Sequence, residues 1–154
     1  MEIKILSRQD IEELALMPFE DKTALISITD FDEDYAELEN EPEFLLQIRF
    51  DDVDNDIFLD FHGKLLPKEE HESIAEKYHI ITGEQAKEIA DFIKNIEDET
   101  KILICQCEHG QSRSAAVGAA VMEYLYNDGI KIFSSDDYFP NKVVFRKVFE
   151  KLKG

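Results

Sequence analysis

An α/β domain is the fold class this sequence predicts, and three observations carry it. Short apolar, β-branched runs alternate along the chain with longer stretches of helical spacing. The sharpest of those runs, Ile102 to Gln106, breaks into a polar loop with one glycine and then into the small-residue segment Ala115-Ala116-Val117. The length, 154 residues with 44% hydrophobic content, suits one domain with a real core, spanning residues 1–154.

Taken in order, Ile3 and Ile5 mark a first strand. Ser7 opens a helix as its cap, with Asp10 three residues on in the place of a capping-box acid. Ile11, Leu14 and Ala15 give that helix an apolar face, and Pro18 ends it. Thr23 to Thr29 is a second strand, apolar enough to be central. Asp30 to Glu43 reads as an acidic, solvated loop. Phe44 to Phe50 is the third strand. From Asn55 to Ile81 the chain reads as an insertion placed to flank or cover a site. It has turn residues in Phe61 to Pro67 and a short helix over Glu69 to Tyr78.

Thr82 and Gln85 then form a capping box, and Ala86, Ile89, Ala90, Ile93 and Ile96 recur at helical spacing to pack on a sheet. Lys101 to Gln106 is the fourth strand. Ser114 caps or begins the next helix, whose small residues Ala115, Ala116, Gly118, Ala119 and Ala120 permit close approach to the sheet. Asn127-Asp128-Gly129 is expected to end it with a glycine cap. Ser134 to Pro140 is a loop. Asn141 begins a terminal helix with the buried stripe Val144, Phe145, Val148, Phe149 and Leu152. The one basic segment, Lys142, Arg146, Lys147, Lys151 and Lys153, lies on that helix and complements its C-terminal dipole.

Composition excludes several functions. The formal charge is −18, which argues against general nucleic-acid binding and against adhesion to anionic membranes. No apolar stretch is long enough to cross a bilayer, and Met1 to Leu6 is too charged for a signal peptide. Cys105 and Cys107 are too close together to staple distant segments, so a reducing compartment, the cytoplasm, is expected. His62, His71 and His79 match no closed zinc pattern, so neither a metal nor another cofactor is expected.

The chemistry concentrates in the loop after the fourth strand. A loop between a strand and a helix N-terminus turns successive backbone N–H groups toward one spot, a concavity suited to phosphate. Cys107 stands at its mouth, where those dipoles and a cation would favour a thiolate. Arg113 supplies the cation, and its planar fork can grip two phosphate oxygens. Gly110 lets the backbone turn where a side chain would block an oxyanion.

Cys107, Gly110 and Arg113 spell C-x-x-G-x-x-R, and Ser114 follows. This resembles the signature loop of the cysteine-dependent protein tyrosine phosphatases, the small dual-specificity branch most nearly. The resemblance is sharp from about Lys101 to Tyr124 and softer back to Ile48. It implies a central, mostly parallel sheet with helices on both faces. It also implies phosphomonoester hydrolysis through a phosphocysteine, with Cys107 as nucleophile. Backbone N–H groups of Glu108, His109, Gly110, Gln111, Ser112 and Arg113, with the Arg113 side chain, would bind the phosphate. The Ser114 hydroxyl would steady the cysteine sulfur as leaving group, although an ordinary helix-start serine fits the sequence equally well. In that family an aspartate after a strand like Leu46 to Phe50 protonates the leaving oxygen. Alignment by strand end points to Asp52, with Asp51, Asp54 and Asp56 as near competitors.

One residue departs from the family. Gln106 stands where a histidine usually precedes the nucleophile; it can donate amide hydrogen bonds but carries no charge. The expected partner is a phosphorylated protein or a small aryl phosphate. Glu108, acidic in a variable loop position, and the overall charge disfavour polyanionic lipids and RNA ends. Two rival readings are a phosphatase-like module that binds phosphorylated partners without turnover, motivated by Gln106, and a sulfur- or arsenate-handling enzyme. The second lacks its usual extra redox cysteines, because a bridge from Cys105 to Cys107 would be strained. Cys105 is expected to be a strand core residue.

Overall fold

The computed structural model describes residues 1–154. Four strands, β1 (Glu2–Leu6), β2 (Thr23–Thr29), β3 (Phe44–Arg49) and β4 (Ile102–Gln106), form one sheet in the order β1-β4-β2-β3. Every pairing is parallel. The expected mostly parallel sheet is thus wholly parallel.

Helices lie on both faces, unevenly. Alternation along the strands decides which side chain goes where. Ala24, Ile26 and Ile28 of β2 and Leu103 and Cys105 of β4 point into the main core. That core is completed by three helices: α3 (Gly83–Ile96), α4 (Arg113–Tyr126) and α6 (Lys142–Lys153). On the other face Leu25 and Ile104 meet Ile11 of the short α1 (Arg8–Leu14) and Ala36 of the acidic loop. No helix is long and apolar enough to cross a membrane.

Local chemistry explains the element ends. Ser7 caps α1 by accepting from the Asp10 N–H at 3.1 Å. The helix stops at Leu14, before Pro18 can act, and Leu14 faces solvent rather than the core. Only Ile11 and Ala15 of the predicted face are buried, because about two turns of helix can present little more to the sheet. Thr82 and Gln85 form the capping box at α3, and Ala86, Ile89, Ala90, Ile93 and Ile96 are all buried. The Gln85 amide also donates to the Arg49 carbonyl, tying the start of α3 to the end of β3.

Three expectations are corrected. Helix α4 opens at Arg113, with Ser112 in the N-cap position and Ser114 already inside. It ends on Asn127, which takes the left-handed conformation at φ 52° itself. Gly129 has φ −57° and instead begins a four-residue helix, α5 (Ile130–Phe133), unforeseen in the sequence. A glycine is needed there for space: a Cβ would lie 2.7 Å from the Ala119 carbonyl oxygen. On α6 the buried residues are Val143, Val144, Val148 and Leu152, with Phe145 and Phe149 only half-buried. The 55–81 segment folds into a 3-10 turn (Asn55–Phe58), a bridge between Leu59 and Leu65, and α2 (Lys68–Lys77).

Candidate active site

In an open parallel sheet the carboxyl ends of the strands, at the point where strand order reverses, form the binding crevice. Here β4 enters the sheet last and lies between β1 and β2. The residues that follow each strand therefore converge: Ser7 after β1, Asp30 after β2, Asp51 and Asp52 beyond β3, and the Cys107 loop after β4.

The loop is anchored to its neighbours by backbone. The Cys107 N–H donates to the Leu6 carbonyl at 3.3 Å, and Arg8 N–H donates to the Glu108 carbonyl at 3.1 Å. Gly110 has φ +68°, and a Cβ there would stand 2.7 Å from both Leu6 C and Ser7 N. Two independent reasons, conformation and contact with β1, thus require glycine. On the far side Phe139 N–H donates to the Gln111 carbonyl and Asn141 N–H to that of Ser112. From Glu108 to Arg113 no backbone N–H donates to another group of the chain. Six consecutive donors ahead of a helix N-terminus make the kind of concavity that accepts an oxyanion.

Cys107 is buried at the base of this loop, and its Sγ lies 3.1 Å from the Ser114 Oγ. Arg113 is only 4% exposed. Its Nη1 takes both fixed partners, the Asp30 carboxylate at 2.7 Å and the Phe50 carbonyl at 2.8 Å. Its Nε has no partner in the protein. The two acceptors therefore orient the guanidinium from one side and leave the Nε edge of its fork for a ligand.

The aspartates after β3 are sorted by their partners. Asp51 accepts the Phe31 N–H at 2.8 Å and Asp54 caps the 3-10 turn through the Asn55 N–H. Asp52 alone reaches the loop: its Oδ1 accepts from Ser112 Oγ at 2.8 Å and from Asn141 Nδ2 at 2.9 Å. Asn141 is buried, and its own oxygen caps α6 by accepting from Val143 and Val144. One side chain thus starts a helix and holds Asp52.

A cleft of about 520 Å³ opens above the loop, lined by Asp30, Asp32, Glu33, Asp51, Asp52, Glu108, His109 and Arg113. Glu108 and His109 therefore face it. Gln111 is exposed but outside this lining. No residue of 55–81 lines the cleft. The segment buttresses it instead, through the Asp51 N–H on the His79 carbonyl and a parallel stack of His79 on Phe31 at 3.8 Å. No group of three or more histidine, cysteine or acidic side chains is arranged to hold a metal ion.

Gln106, 1% exposed, accepts a short hydrogen bond from Ser27 and donates to the Cys107 carbonyl at 3.2 Å. Cys105 points into the core beside it, and burial, with the neighbouring Cys107 as a second cause, pushes its thiol far above the ordinary range. Sequence reasoning missed Ser27, Asp30 and the second role of Asn141. Ser27 had a faint signal, one serine in an apolar strand. Asp30 stands directly after β2 much as Asp51 and Asp52 follow β3.

The architecture is that of the protein tyrosine phosphatase-like α/β fold. Among solved structures, the crystal structure of PTPMT1 in complex with PI(5)P superposes with a TM-score of 0.51 at 14% identity, covering 99% of this chain and 90% of that one. PTPMT1 alone gives 0.49, and Tk-PTP in the active form gives 0.45, covering 99% of this chain and 92% of that one, again at 14% identity. At such identity the first likeness speaks to fold. No protein-family model and no curated protein sequence matches the chain.

Proposed function

We propose that the protein hydrolyses phosphomonoesters through a covalent phosphocysteine, acting on phosphoproteins, with phosphotyrosine the preferred substrate and dual specificity within reach. The observation that carries this reading is the convergence of Cys107, Ser114, Arg113 and Asp52 around one loop of unpaired backbone donors.

In this mechanism the Cys107 thiolate attacks phosphorus as the bond to the leaving oxygen breaks. The loop amides and the Arg113 fork hold the equatorial oxygens, most strongly in the transition state. Protonated Asp52 gives its proton to the departing oxygen. Water then attacks the phosphocysteine, and the Asp52 carboxylate takes the water's proton. The sulfur leaves as thiolate, held by the Ser114 hydroxyl, and inorganic phosphate departs.

Gln106 supports a second reading, a module that binds phosphorylated partners without turnover, because the chain lacks the histidine expected before the nucleophile. The hydrogen bond from Gln106 to the Cys107 carbonyl favours the enzyme, since the loop is held without a charge. Hydrolysis of p-nitrophenyl phosphate in EDTA, beside Cys107→Ser, separates the two. Turnover that survives the chelator and vanishes in the variant is expected. Phosphopeptide binding with no turnover between pH 5 and 8 would favour the module. Equal rates on phosphoserine and phosphotyrosine peptides would count against tyrosine preference.

A further inference from the structure

We propose that the site selects phosphorylated segments flanked by lysine or arginine, and that Asp32 and Glu33 set this preference; the inference rests on the phosphatase reading above. Two observations on one cleft carry it. The first is Arg113, nine-tenths buried and more, lining the cleft with an Nε that has no partner in the protein. That donor, beside the free loop amides, points to an anionic ligand. The second is the wall around it. Six of the eight lining residues, Asp30, Asp32, Glu33, Asp51, Asp52 and Glu108, carry carboxyl groups.

These two facts oppose one another for a bare anion. A phosphate entering the cleft is drawn by the loop and repelled by the rim. Nearby cations do not cancel the rim. Arg113 is paired with Asp30, Arg8 lies 3.9 Å from Glu33 and 3.8 Å from Glu108, and Arg49 is tied to the Glu33 carbonyl and stacked over Tyr35. The carboxyl groups outnumber these three guanidiniums two to one. Asp32 has no ion-pair partner. A ligand that brings positive charges beside its phosphate turns the repulsion into attraction, and walls of one sign focus this field. A ligand with further phosphates does the reverse.

Asp32 and Glu33 are the residues to test, because neither holds Cys107, Arg113 or Asp52 through its side chain. Two phosphotyrosine peptides that differ only in lysine against glutamate on both sides of the phosphate are compared in kcat/KM. The lysine peptide should lead by about tenfold or more at low ionic strength. The lead should shrink in 0.5 M salt and in Asp32→Asn/Glu33→Gln, in which p-nitrophenyl phosphate, a bare anion relieved of part of the rim's repulsion, should turn over no more slowly than in the wild type. The same peptides, titrated calorimetrically into Cys107→Ser, read the preference as affinity even without turnover.

Equal kcat/KM for the two peptides, a lead for the glutamate peptide, or faster release of phosphate from phosphoinositide vesicles than from either peptide would overturn the preference. A lead that persists unchanged in Asp32→Asn/Glu33→Gln would remove these two residues from it. Absence of turnover on every substrate overturns the phosphatase reading instead. A lysine preference in the calorimetric arm would then survive as a property of a binding site.

Discussion

Ser27 and Gln106 stand opposite each other in the parallel register of β2 and β4, and the serine hydroxyl donates to the Gln106 side-chain oxygen. The amide nitrogen of the same glutamine holds the Cys107 carbonyl. A neutral pair thus fixes the backbone at Cys107, the proposed nucleophile. Gln106→Leu removes both bonds and leaves the Ser27 hydroxyl unpaired in the interior, at a cost of about 1–3 kcal/mol. Turnover of p-nitrophenyl phosphate should fall on the order of a hundredfold as the loop shifts. Gln106→His should keep a donor and add to the kcat/KM profile an ionisation that the amide cannot contribute. An unaltered rate in Gln106→Leu would rule out the positioning role.

Asp52 is the only one of the neighbouring aspartates hydrogen-bonded to the loop. Asp52→Asn should lower turnover by roughly 10²–10⁴. The loss should be greater on phenyl phosphate than on p-nitrophenyl phosphate, whose better leaving group needs less protonation. Asp51→Asn and Asp54→Asn should change turnover little. Asn141 supports Asp52 and α6 together. Asn141→Asp keeps the oxygen that caps α6 but sets a buried carboxylate against Asp52 and the Val53 carbonyl, so activity and melting temperature should both drop. Asn141→Ala should also lose the cap, about 0.5–2 kcal/mol. Equal activity in all five variants would remove the aspartate from the mechanism.

Gly110 and Gly63 both have positive φ, but only Gly110 is crowded. Gly63→Ala meets nothing within 4 Å and should cost about 1 kcal/mol from backbone conformation alone. Gly110→Ala drives a methyl into the Leu6–Ser7 backbone, which has no flexible side chain to yield. It should cost more than Gly63→Ala, about 2–4 kcal/mol, and abolish turnover. Denaturant melts of the two variants, read beside their rates, check the difference; comparable losses in both would contradict it.

Burial, then the neighbouring Cys107, raises the Cys105 thiol far above the ordinary range. The proton therefore stays on sulfur through neutral and moderately alkaline pH. Iodoacetamide at pH 7 should label Cys107 and spare Cys105 in the folded protein, read by peptide mass spectrometry. Cys105→Ala should retain turnover and cost about 1 kcal/mol. Labelling of Cys105 at a rate matching Cys107 would show that the strand opens.

Legibility followed range in the chain. The Thr82–Gln85 capping box, the five buried positions of α3 and the strand runs are local patterns, and all were readable. The 3-10 turn, α5 and the choice of Asn127 rather than Gly129 as the cap of α4 were not, because short turns depend on packing more than on propensity. The Leu14 face of α1 failed for a related reason: a helix of seven residues has too little surface to bury a full stripe.

The sequence by itself determined the Cys107 loop, since Cys107, Gly110, Arg113 and Ser114 lie within eight consecutive residues and their geometry is local. It also determined the charge of the surroundings. Only the tertiary structure decided which aspartate reaches the loop, because Asp52 is brought to Ser112 and Asn141 across 60 and 89 positions of chain. Only the strand order β1-β4-β2-β3 set Asp30 and the Phe50 carbonyl on Arg113 and Ser27 on Gln106. Pairing between distant strands is fixed by burial and register summed over the whole sheet, and no short stretch of residues carries that information.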